Sequence, residues 1–436
     1  MYFGIVVFEE LLSLKVIVSF LLFISLSLTA QKKLYYFSGS DWCIPCMKFQ
    51  KEFIESEDFI QFRKEYKVDF EILDFPQGRK SILKQELQRR DSLAGLYNKT
   101  GSFPYLTIVD NTNSISIDHK RSSDVIIDEL EERFESMLSQ TRIKMGSLLT
   151  IQFSSHDTSL FEICWNEVDR INKIISSWNA SSEVSRINKG SGEKPVKISR
   201  ELFSLLSYCK ELSETTQGAF DITIKPALNI WYWKTGIVPS DSLINSVIGL
   251  VNFKNLELNK ITLTAYLTKK GMSIDFGAIG KGYMADKITS LLKLKGVTEG
   301  YINCGGDIFS FSSKISTSII GIVNPINTND ILFSLEVSNA SVVTSGNYYR
   351  FFKSEGKKYS HIVNPKNCKP VENDIVSVTV VAPNATLADA LSTAVTVLGV
   401  KVGIDLINQL PLTEVVIVTK SGETFFSNDI KILEKK

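Results

Sequence analysis

Residues Gly271–Asp286 read GMSIDFGAIGKGYMAD, a short apolar run followed by closely spaced glycines and a lysine. The run Ser273–Phe276 predicts a strand that delivers Asp275, and Gly282–Leu294 predicts the helix that follows. The glycines let the backbone turn tightly and come close to a ligand. Lys281 lies beside the helix start, where anions are favoured. The segment therefore indicates either a phosphate site or a structural strand–turn–helix with a surface lysine.

Two further segments place polar groups in a turn or on one helix face. Asn303–Asp307 reads NCGGD, a tight turn in which we expect Asp307 to hydrogen-bond the backbone. Asp389 and Thr393 stand four residues apart in a predicted helix, so they share one face. Their oxygen atoms are hard ligands suited to Mg²⁺. The alternative is an acid that favours the helix dipole and a threonine bonded to a preceding carbonyl.

Outward from these segments the chain divides into two predicted domains. Residues 31–140 alternate strands and helices as a small α/β domain does, and residues 141–436 have the length of one larger α+β domain. The boundary is placed in the polar stretch Ser139–Lys144. The predicted elements of the first domain are the strands Lys33–Phe37, Val68–Leu73 and Tyr105–Val109 and the helices Met47–Tyr66, Ser81–Tyr97 and Ile126–Leu138.

The second domain alternates helices and strands. Its predicted helices are Leu160–Trp178, Glu201–Thr216, Gly282–Leu294 and Leu387–Leu398. Its predicted strands are Leu148–Phe153, Ser273–Phe276, Gly300–Ile302, Ile319–Ile322, Ser377–Val381 and Glu414–Val418.

The composition excludes several classes of protein. The chain has 49 basic and 48 acidic residues, a balance that argues against a nucleic-acid binder whose affinity depends on a basic surface. Six cysteines in 436 residues are too few for a disulfide-dense mini-scaffold. Three histidines cannot supply several histidine-rich metal sites. A bound metal is therefore expected to have oxygen ligands, with a thiolate-rich site left open.

The first thirty residues are predicted to direct export. Val16–Leu28 is an apolar run too short for a typical spanning helix of ~20 residues, but suited to the core of a signal peptide. Small and polar residues follow it, and cleavage is predicted near Ala30. The alternative is an uncleaved N-terminal anchor. We therefore expect a periplasmic protein, associated with the inner membrane if the segment is retained.

Cys43 and Cys46 bracket two residues between a predicted strand and a predicted helix. A thiol at a helix N-terminus is favoured as the reactive thiolate, and a second cysteine can resolve a mixed disulfide. A purely structural disulfide is disfavoured, because closing so small a loop removes little entropy from the unfolded chain. Zinc would need further ligands, and no second CxxC motif is present. Redox activity is the favoured interpretation, with a purely stabilising pair as the alternative.

The first domain resembles the thioredoxin family over roughly residues 31–139. The matching pieces are the strand KLYYF (Lys33–Phe37), the motif SDWCIPC (Ser40–Cys46), and Phe103–Pro104 before the strand YLTIVD. The resemblance implies a thiol–disulfide redox function for Cys43 and Cys46. It also implies a cis peptide bond before Pro104.

The second domain resembles the ApbE family, the FAD:protein FMN transferases, over roughly residues 142–430. The resemblance implies an α+β fold with a helix-flanked mixed sheet. Eight motifs keep the family's order along the chain. They are KMGS (Lys144–Ser147), SEVSRIN (Ser182–Asn188), GAFDITIKP (Gly218–Pro226), the segment Asp275–Asp286, NCGGD (Asn303–Asp307), TSGNYYR (Thr344–Arg350), HIVNP (His361–Pro365) and ADALSTA (Ala388–Ala394).

The resemblance implies a reaction and its metal. FMN is attached through its phosphate to a threonine or serine hydroxyl of an acceptor flavoprotein subunit, with FAD as donor and AMP as leaving group. Family acceptors include subunits of sodium-pumping NADH:quinone reductase and Rnf-type complexes. Mg²⁺ would be held by Asp389, Thr393 and the backbone carbonyl of Ala278. Mg²⁺ and a lysine stabilise the charge that develops on the phosphoryl oxygens.

The resemblance also implies which residues bind FAD and move the proton. Lys281 and Asp275 would contact the FAD. His361 is the candidate general base, because imidazole titrates near neutral pH. The pocket for FAD would be lined by Met145, Trp178, Ala219, Phe220, Asp221 and Ile362.

Three other functions compete with a flavin transferase. A metal-dependent FAD pyrophosphatase would release FMN and AMP without a protein acceptor. A thiol–disulfide oxidoreductase could carry a second domain that only binds flavin. A non-enzymatic flavin-binding scaffold is disfavoured, because metal, phosphate and base candidates all occur in family order.

Overall fold

The computed structural model describes residues 32–77, 82–110, 113–134, 137–231, 236–312, 318–327, 330–346 and 351–433. The chain divides into two compact units, Met1–Ser136 and Met137–Lys436. The predicted signal segment and its cleavage position lie outside the described residues. Within the described ranges, no helix is both long enough and apolar enough to cross a membrane.

The first unit is built on a four-stranded sheet. The strand β1 (Lys33–Ser38) pairs in parallel with β2 (Asp69–Asp74) and antiparallel with β3 (Tyr105–Asp110). The strand β4 (Asn113–Ile117) adds to β3, which gives the order β2-β1-β3-β4. The three predicted strands are confirmed to within one residue at each end. The predicted α/β arrangement of this unit is therefore observed.

Helices surround this sheet. They are α1 (Ile44–Phe49), continued by a π-helical turn at Gln50–Ile54, and α2 (Glu57–Glu65), α3 (Lys84–Tyr97) and α4 (Ser123–Phe134). The prediction of one helix over Met47–Tyr66 is wrong. The hydroxyl of Ser56 accepts a hydrogen bond from the Phe59 N–H and so begins a new helix.

The polar stretch that was expected to link the domains forms a strand instead. Met137–Lys144 (β5) pairs along its whole length with β6 (Ser147–Ser154). Its side chains alternate between exposed and half-buried, as expected for an edge strand with one solvated face. The boundary between the two units therefore falls after Ser136 rather than after residue 140. The predicted closing helix ends at Phe134 rather than at Leu138.

The second unit contains many further strands and helices. The strands are β7 (Val196–Lys197), β8 (Leu256–Asn259), β9 (Thr264–Leu267), β10 (Glu299–Cys304), β11 (Asp307–Ser312), β12 (Ser318–Val323), β13 (Ile331–Val337), β14 (Ser341–Gly346), β15 (Phe351–Ser354), β16 (Lys357–Ser360), β17 (Val363–Asn364), β18 (Lys369–Pro370), β19 (Ile375–Ala382), β20 (Glu414–Thr419), β21 (Thr424–Phe426) and β22 (Ile432–Leu433). The helices are α5 (Leu160–Ile175), α6 (Glu183–Lys189), α7 (Arg200–Thr215), α8 (Lys225–Ile230), α9 (Asp241–Ile248), α10 (Gly280–Leu294), α11 (Ala385–Leu398) and α12 (Val400–Ile407).

The main sheet of the second unit has eight strands in the order β21-β20-β19-β14-β11-β10-β6-β5. Every neighbouring pair is antiparallel, so the expectation of a mixed sheet is wrong. Side chains of β20 alternate between two apolar clusters. Val415 and Ile417 pack among the helices, whereas Val416 and Val418 pack against the small sheet β12-β13-β22.

The prediction that a strand delivers Asp275 is also wrong. Ser273 makes only a single bridge, to Ile224. The side chain of Asn188 takes the place of a neighbouring strand. Its amide donates to the carbonyl of Ile274 at 3.0 Å and accepts from the N–H of Ile274 at 2.6 Å. Both backbone groups of Ile274 are therefore satisfied without a ladder.

Candidate active site

The helices α10 and α11 bring the predicted lysine, Lys281, and one predicted metal ligand, Asp389, close together. The carboxylate of Asp286, on α10, accepts hydrogen bonds from the N–H groups of Ala385 and Thr386, each at 2.8 Å. It also accepts from the Thr386 hydroxyl. These N–H groups begin α11 and have no partner within that helix, so Asp286 caps it from outside.

A glycine allows the two helices to approach closely. A Cβ on Gly282 would lie 2.2 Å from the carbonyl oxygen of Ala385 and 2.9 Å from the Cβ of Asp389. A side chain of any size at this position would push the helices apart. The glycine segment therefore sets the distance between Lys281 and Asp389.

Asp389 is buried, and its carboxylate faces the start of α10. Its Oδ2 atom accepts a hydrogen bond from the backbone N–H of Gly282 at 3.0 Å. Burial raises the pKa of the Asp389 carboxyl, while the Lys281 ammonium acts in the opposite direction. Ser392 lies on the next turn of α11, and its hydroxyl shares a hydrogen bond of 2.8 Å with that of Ser345 on β14.

Lys281 forms an ion pair with Asp307, the last residue of the NCGGD turn. Burial lowers the pKa of Lys281, but the negative charges of Asp389 and Asp307 outweigh burial and hold the pKa above its usual range. Asp307 is buried and also accepts a hydrogen bond from the N–H of Thr344 at 3.3 Å. The lysine therefore stays charged and paired with Asp307.

The donor types predicted for the metal suit a hard cation, and their convergence on one ion stays a prediction. Asp389 offers a buried carboxylate, Thr393 a hydroxyl on the same helix face, and Ala278 a backbone carbonyl in the turn before α10. In the described part of the chain, no group of three or more His, Cys, Asp or Glu side chains could hold a metal ion. A metal here would thus depend on mixed oxygen ligands rather than on a cluster of acids.

A second polar cluster surrounds Asp275. Its Oδ1 atom accepts from the N–H of Gly277 at 2.8 Å, and its Oδ2 atom accepts from the hydroxyl of Ser177 at 2.5 Å. The ammonium of Lys225 donates to Ser177 at 2.9 Å and lies 3.6 Å from Asp275. The same ammonium lies 4.0 Å from the centre of the Trp178 ring. Two predicted FAD-binding residues, Asp275 and Trp178, are therefore joined through Lys225.

The stretch Ala219–Asp221 is buried. Ala219 and Phe220 belong to the main core. The carboxylate of Asp221 accepts from the N–H and hydroxyl of Thr223 and from the N–H of Phe253, at 2.7 to 2.8 Å. Burial raises the pKa of Asp221, and these bonds lower it. The side chain of Asp221 thus holds its own loop, and its contact with FAD stays a prediction.

The other predicted site residues lie in connections between elements. Met145 is half-buried in the β5–β6 turn, and a Cβ on Gly280 would lie 3.7 Å from its Cε atom. His361 and Ile362 lie between β16 and β17, with Ile362 buried and His361 half-buried. The roles of Met145, Ile362 and His361 stay predictions. Asn347–Arg350 of the TSGNYYR motif lie outside the described residues.

Comparison with known proteins identifies the family. A model of the ApbE family matches residues 145–417, more than half of the chain. The chain belongs to the ApbE family.

Relatives and solved structures agree with this family. An FAD:protein FMN transferase of Klebsiella pneumoniae (strain 342) is 30% identical over 295 residues, which cover 66% of this chain and 92% of that protein. One of Treponema pallidum (strain Nichols) is 30% identical over 256 residues, covering 55% and 71%. The crystal structure of the ApbE protein from Thermotoga maritima has a TM-score of 0.62 and 27% identity, covering 67% and 97%. The flavin transferase ApbE from Vibrio cholerae shares the fold, with a TM-score of 0.61 at 22% identity, covering 67% and 98%.

The sequence did not predict the contacts that three residues make in the candidate site. Asp307 was expected only to bond its own turn, yet it pairs with Lys281. Lys225 and Asp286 stood inside family motifs without a role. The available signal was their charge in motifs that are otherwise glycine-rich or apolar. Their partners are remote in sequence, so the pairing itself was not visible.

The CxxC motif of the first unit forms a disulfide between Cys43 and Cys46. Cys43 is the N-cap of α1, and its sulfur accepts the N–H of Cys46 at 3.2 Å. The Phe103–Pro104 peptide bond is cis, as the resemblance implied. The indole of Trp42, the residue before Cys43, donates to the carbonyl of Phe75 at 2.7 Å.

Proposed function

We propose that this chain is an FAD:protein FMN transferase. The acceptor hydroxyl oxygen attacks the phosphorus of the FMN half of FAD, and a new P–O bond forms as the bond to the AMP phosphate breaks. The observation that carries the proposal is the ion pair of Lys281 with Asp307 at the start of α10, where the next residue, Gly282, bonds the buried Asp389, in a member of the ApbE family. AMP leaves with the electron pair, and the hydroxyl proton goes to His361.

Charge stabilisation explains why these residues meet. The diphosphate is anionic, and its leaving oxygen gains charge in the transition state. The ammonium of Lys281 and the N–H groups at the start of α10 favour anions there. Asp307 keeps the lysine oriented without needing to touch FAD.

Asp389, Thr393 and the carbonyl of Ala278 are the proposed ligands of Mg²⁺. When bound, Mg²⁺ supplies further neutralisation of phosphoryl and leaving-group charge. The cap from Asp286 and the N–H of Gly282 hold the Asp389 carboxylate in place before any metal binds. Pre-organised ligands lose less entropy when the ion arrives.

The proposed FAD pocket lies around the second cluster. Asp275 contacts the FAD, and Trp178 offers an exposed ring on which a flat ring can stack. Met145, Ile362 and the stretch Ala219–Asp221 complete the lining in this proposal. The acceptor is a flavoprotein subunit that presents a threonine or serine.

Product analysis tests the proposal against FAD hydrolysis. The purified chain would be incubated with FAD, Mg²⁺ and an acceptor, and AMP and free FMN would be separated by chromatography. A transferase releases AMP only when the acceptor is present, with little free FMN. Equal amounts of AMP and FMN without acceptor would identify a pyrophosphatase. Asp389→Ala and chelation by EDTA should each abolish AMP release.

For the first unit we propose thiol–disulfide exchange, supported by the Cys43–Cys46 disulfide at the start of α1. A partner dithiol loses two electrons and two protons as the disulfide opens to two thiols, and the reverse reaction oxidises the unit. Cys43 is the residue attacked, because Cys46 is completely buried and Cys43 is slightly exposed. A dithiol peptide monitored by mass spectrometry tests this. Cys43→Ser should remove the exchange, and unchanged exchange would refute the proposal.

We also propose that the chain works outside the cytoplasm. The support is the apolar run Val16–Leu28 with its small, polar flank. A fusion of the first 40 residues to a reporter that is active only in the periplasm tests this. Reporter activity in the wild-type fusion, lost when Leu22→Arg interrupts the run, is the expected result.

A further inference from the structure

Lys225 lies at the junction of three segments of the proposed FAD pocket. It is the first residue of α8, whereas Ser177 and Trp178 follow α5 and Asp275 precedes α10. Its side chain is 12% exposed and that of Asp275 is 11% exposed. The ion pair is therefore largely removed from water. Electrostatic attraction is stronger in such a shielded place than in bulk water.

Hydrogen bonds fix the position of the Lys225 ammonium. It donates to the Ser177 hydroxyl at 2.9 Å, and that hydroxyl in turn donates to Asp275 at 2.5 Å. Asp275 is itself held by the N–H of Gly277. The cation thus has a defined place rather than the many rotamers of a free lysine.

The fixed cation lies over one face of the Trp178 indole, 4.0 Å from the ring centre. At this distance a lysine is attracted to the electron-rich face of the ring. The side chain of Trp178 is nevertheless 84% exposed, so the remainder of the indole is open to solvent. A flat aromatic ring can stack on the open face without displacing the lysine.

We infer that Lys225 is a positioning residue that holds the Trp178 indole ready for a ring of FAD, an inference that rests on the proposed function. An exposed tryptophan without this contact would lose rotamer freedom only when FAD binds, and that loss weakens binding. Lys225 reduces the loss by ordering the ring beforehand. It acts through Trp178 and needs no contact with FAD itself.

The inference predicts a change in affinity rather than in chemistry. Trp178 would stack equally well on bound FAD and on the transition state. Ordering the Trp178 side chain therefore lowers KM and leaves kcat nearly unchanged. Lys225→Met should raise the Kd and the KM for FAD by roughly tenfold, the size expected of one partly desolvated cation–π contact. Lys225→Arg keeps a cation and should stay within about threefold of wild type.

A double-mutant cycle with Trp178→Leu separates action through the ring from direct action on FAD. FAD binding to the full chain is measured by equilibrium dialysis, which needs no turnover. In the Trp178→Leu background, Lys225→Met should change the Kd by less than about twofold, because Ser177 and the N–H of Gly277 still hold Asp275 in place. The control is Lys293→Met, which removes another lysine placed over a ring, that of Phe311, and should leave the Kd unchanged.

Fluorine NMR of the chain labelled with 5-fluorotryptophan gives a readout that does not depend on FAD. The Trp178 resonance, assigned by its absence in Trp178→Phe, should shift and change width in Lys225→Met but not in Lys293→Met. An unmoved resonance, or an equal loss of affinity in both backgrounds of the cycle, would overturn the inference while leaving the transferase proposal intact. If wild-type protein binds no FAD, both fall together. If Lys225→Met does not fold, Lys225→Gln is used in the same cycle.

Discussion

The backbone N–H of Gly282 donates a hydrogen bond to the carboxylate of Asp389 at 3.0 Å. The two residues are remote in sequence, and each lies near the N-terminus of its own helix. The bond joins the glycine segment, which carries Lys281, to the helix that carries the proposed metal ligands. Several predictions about the site depend on how closely these two helices approach.

Gly282→Ala should reduce activity strongly. The added methyl group would meet the carbonyl of Ala385 at 2.2 Å, so α10 and α11 must separate. Overpacking of this kind costs about 1–3 kcal/mol of unfolding free energy. We expect at least a tenfold loss of FMN transfer and a lower Tm. Gly249→Ala is the matched control, because nothing lies within 4 Å of its Cβ position. Equal activity of the two variants would contradict this account.

Asp286→Ala should destabilise α11 and weaken the response to Mg²⁺. The substitution removes the acceptor for two backbone N–H groups, and loss of a helix cap costs about 1–2 kcal/mol. We expect the Mg²⁺ concentration for half-maximal transfer to rise several-fold. Asp286→Asn keeps one acceptor oxygen, so its Mg²⁺ response should lie between those of Asp286→Ala and wild type. Asp405→Ala, on the exposed surface of α12, should have no effect. A normal Mg²⁺ titration for Asp286→Ala would show that the cap does not position the ligands.

Protonation of Glu201 should make the second unit less stable in acid. Hydrogen bonds from Arg170 and Tyr283 lower the pKa of Glu201 to about 2, against an ordinary value of 4.5, although burial raises it. A carboxyl with a lowered folded-state pKa stabilises the fold above about pH 4.5, and the contribution is lost as the pH falls towards 2. Because Glu201 is partly exposed, we expect only about 1 kcal/mol.

Urea unfolding at pH 7 and pH 3 measures this contribution. Glu201→Gln should lower the unfolding free energy at pH 7 and approach wild type at pH 3. Glu211→Gln, an exposed change on the same helix, serves as the control. A deficit in Glu201→Gln that is the same at both values of pH would contradict the predicted titration.

Cys43→Ser should separate the two proposed activities. The CxxC disulfide and the proposed flavin site belong to different compact units. We therefore expect FMN transfer to a reduced, purified acceptor to continue at the wild-type rate, while dithiol oxidation is lost. If acceptor flavinylation in cells falls but the purified reaction does not, the first unit prepares or docks the acceptor. A slow purified reaction would contradict the independence of the two units.

Elements with long apolar periodicity were predictable from the sequence. The helix predicted over Leu160–Trp178 begins at Leu160 but ends at Ile175, and its apolar residues Leu160, Cys164, Val168 and Ile171 are buried. The predicted strand at Asp275 failed because Asn188, far away in the chain, satisfies the backbone of Ile274. Periodicity reports which residues are buried, but it does not report what satisfies their backbone.

The candidate site was predictable in part. Lys281 and Asp389 were named from family motifs, and the fold does place them together. Asp307 and Lys225 were not assigned to the site, because each acquires its role from a partner in another segment. Charge alone could not distinguish these two residues from the many solvated ones.

Intact-mass spectrometry of an acceptor tests the central claim most directly. Purified flavoprotein subunits of the sodium-pumping NADH:quinone reductase and Rnf types would be incubated with the chain, FAD and Mg²⁺. We predict that an acceptor gains the mass of one FMN group on a threonine or serine, that Asp389→Ala and EDTA prevent this gain, and that Lys293→Met does not. Unmodified acceptors together with complete conversion of FAD to free FMN and AMP would contradict the account.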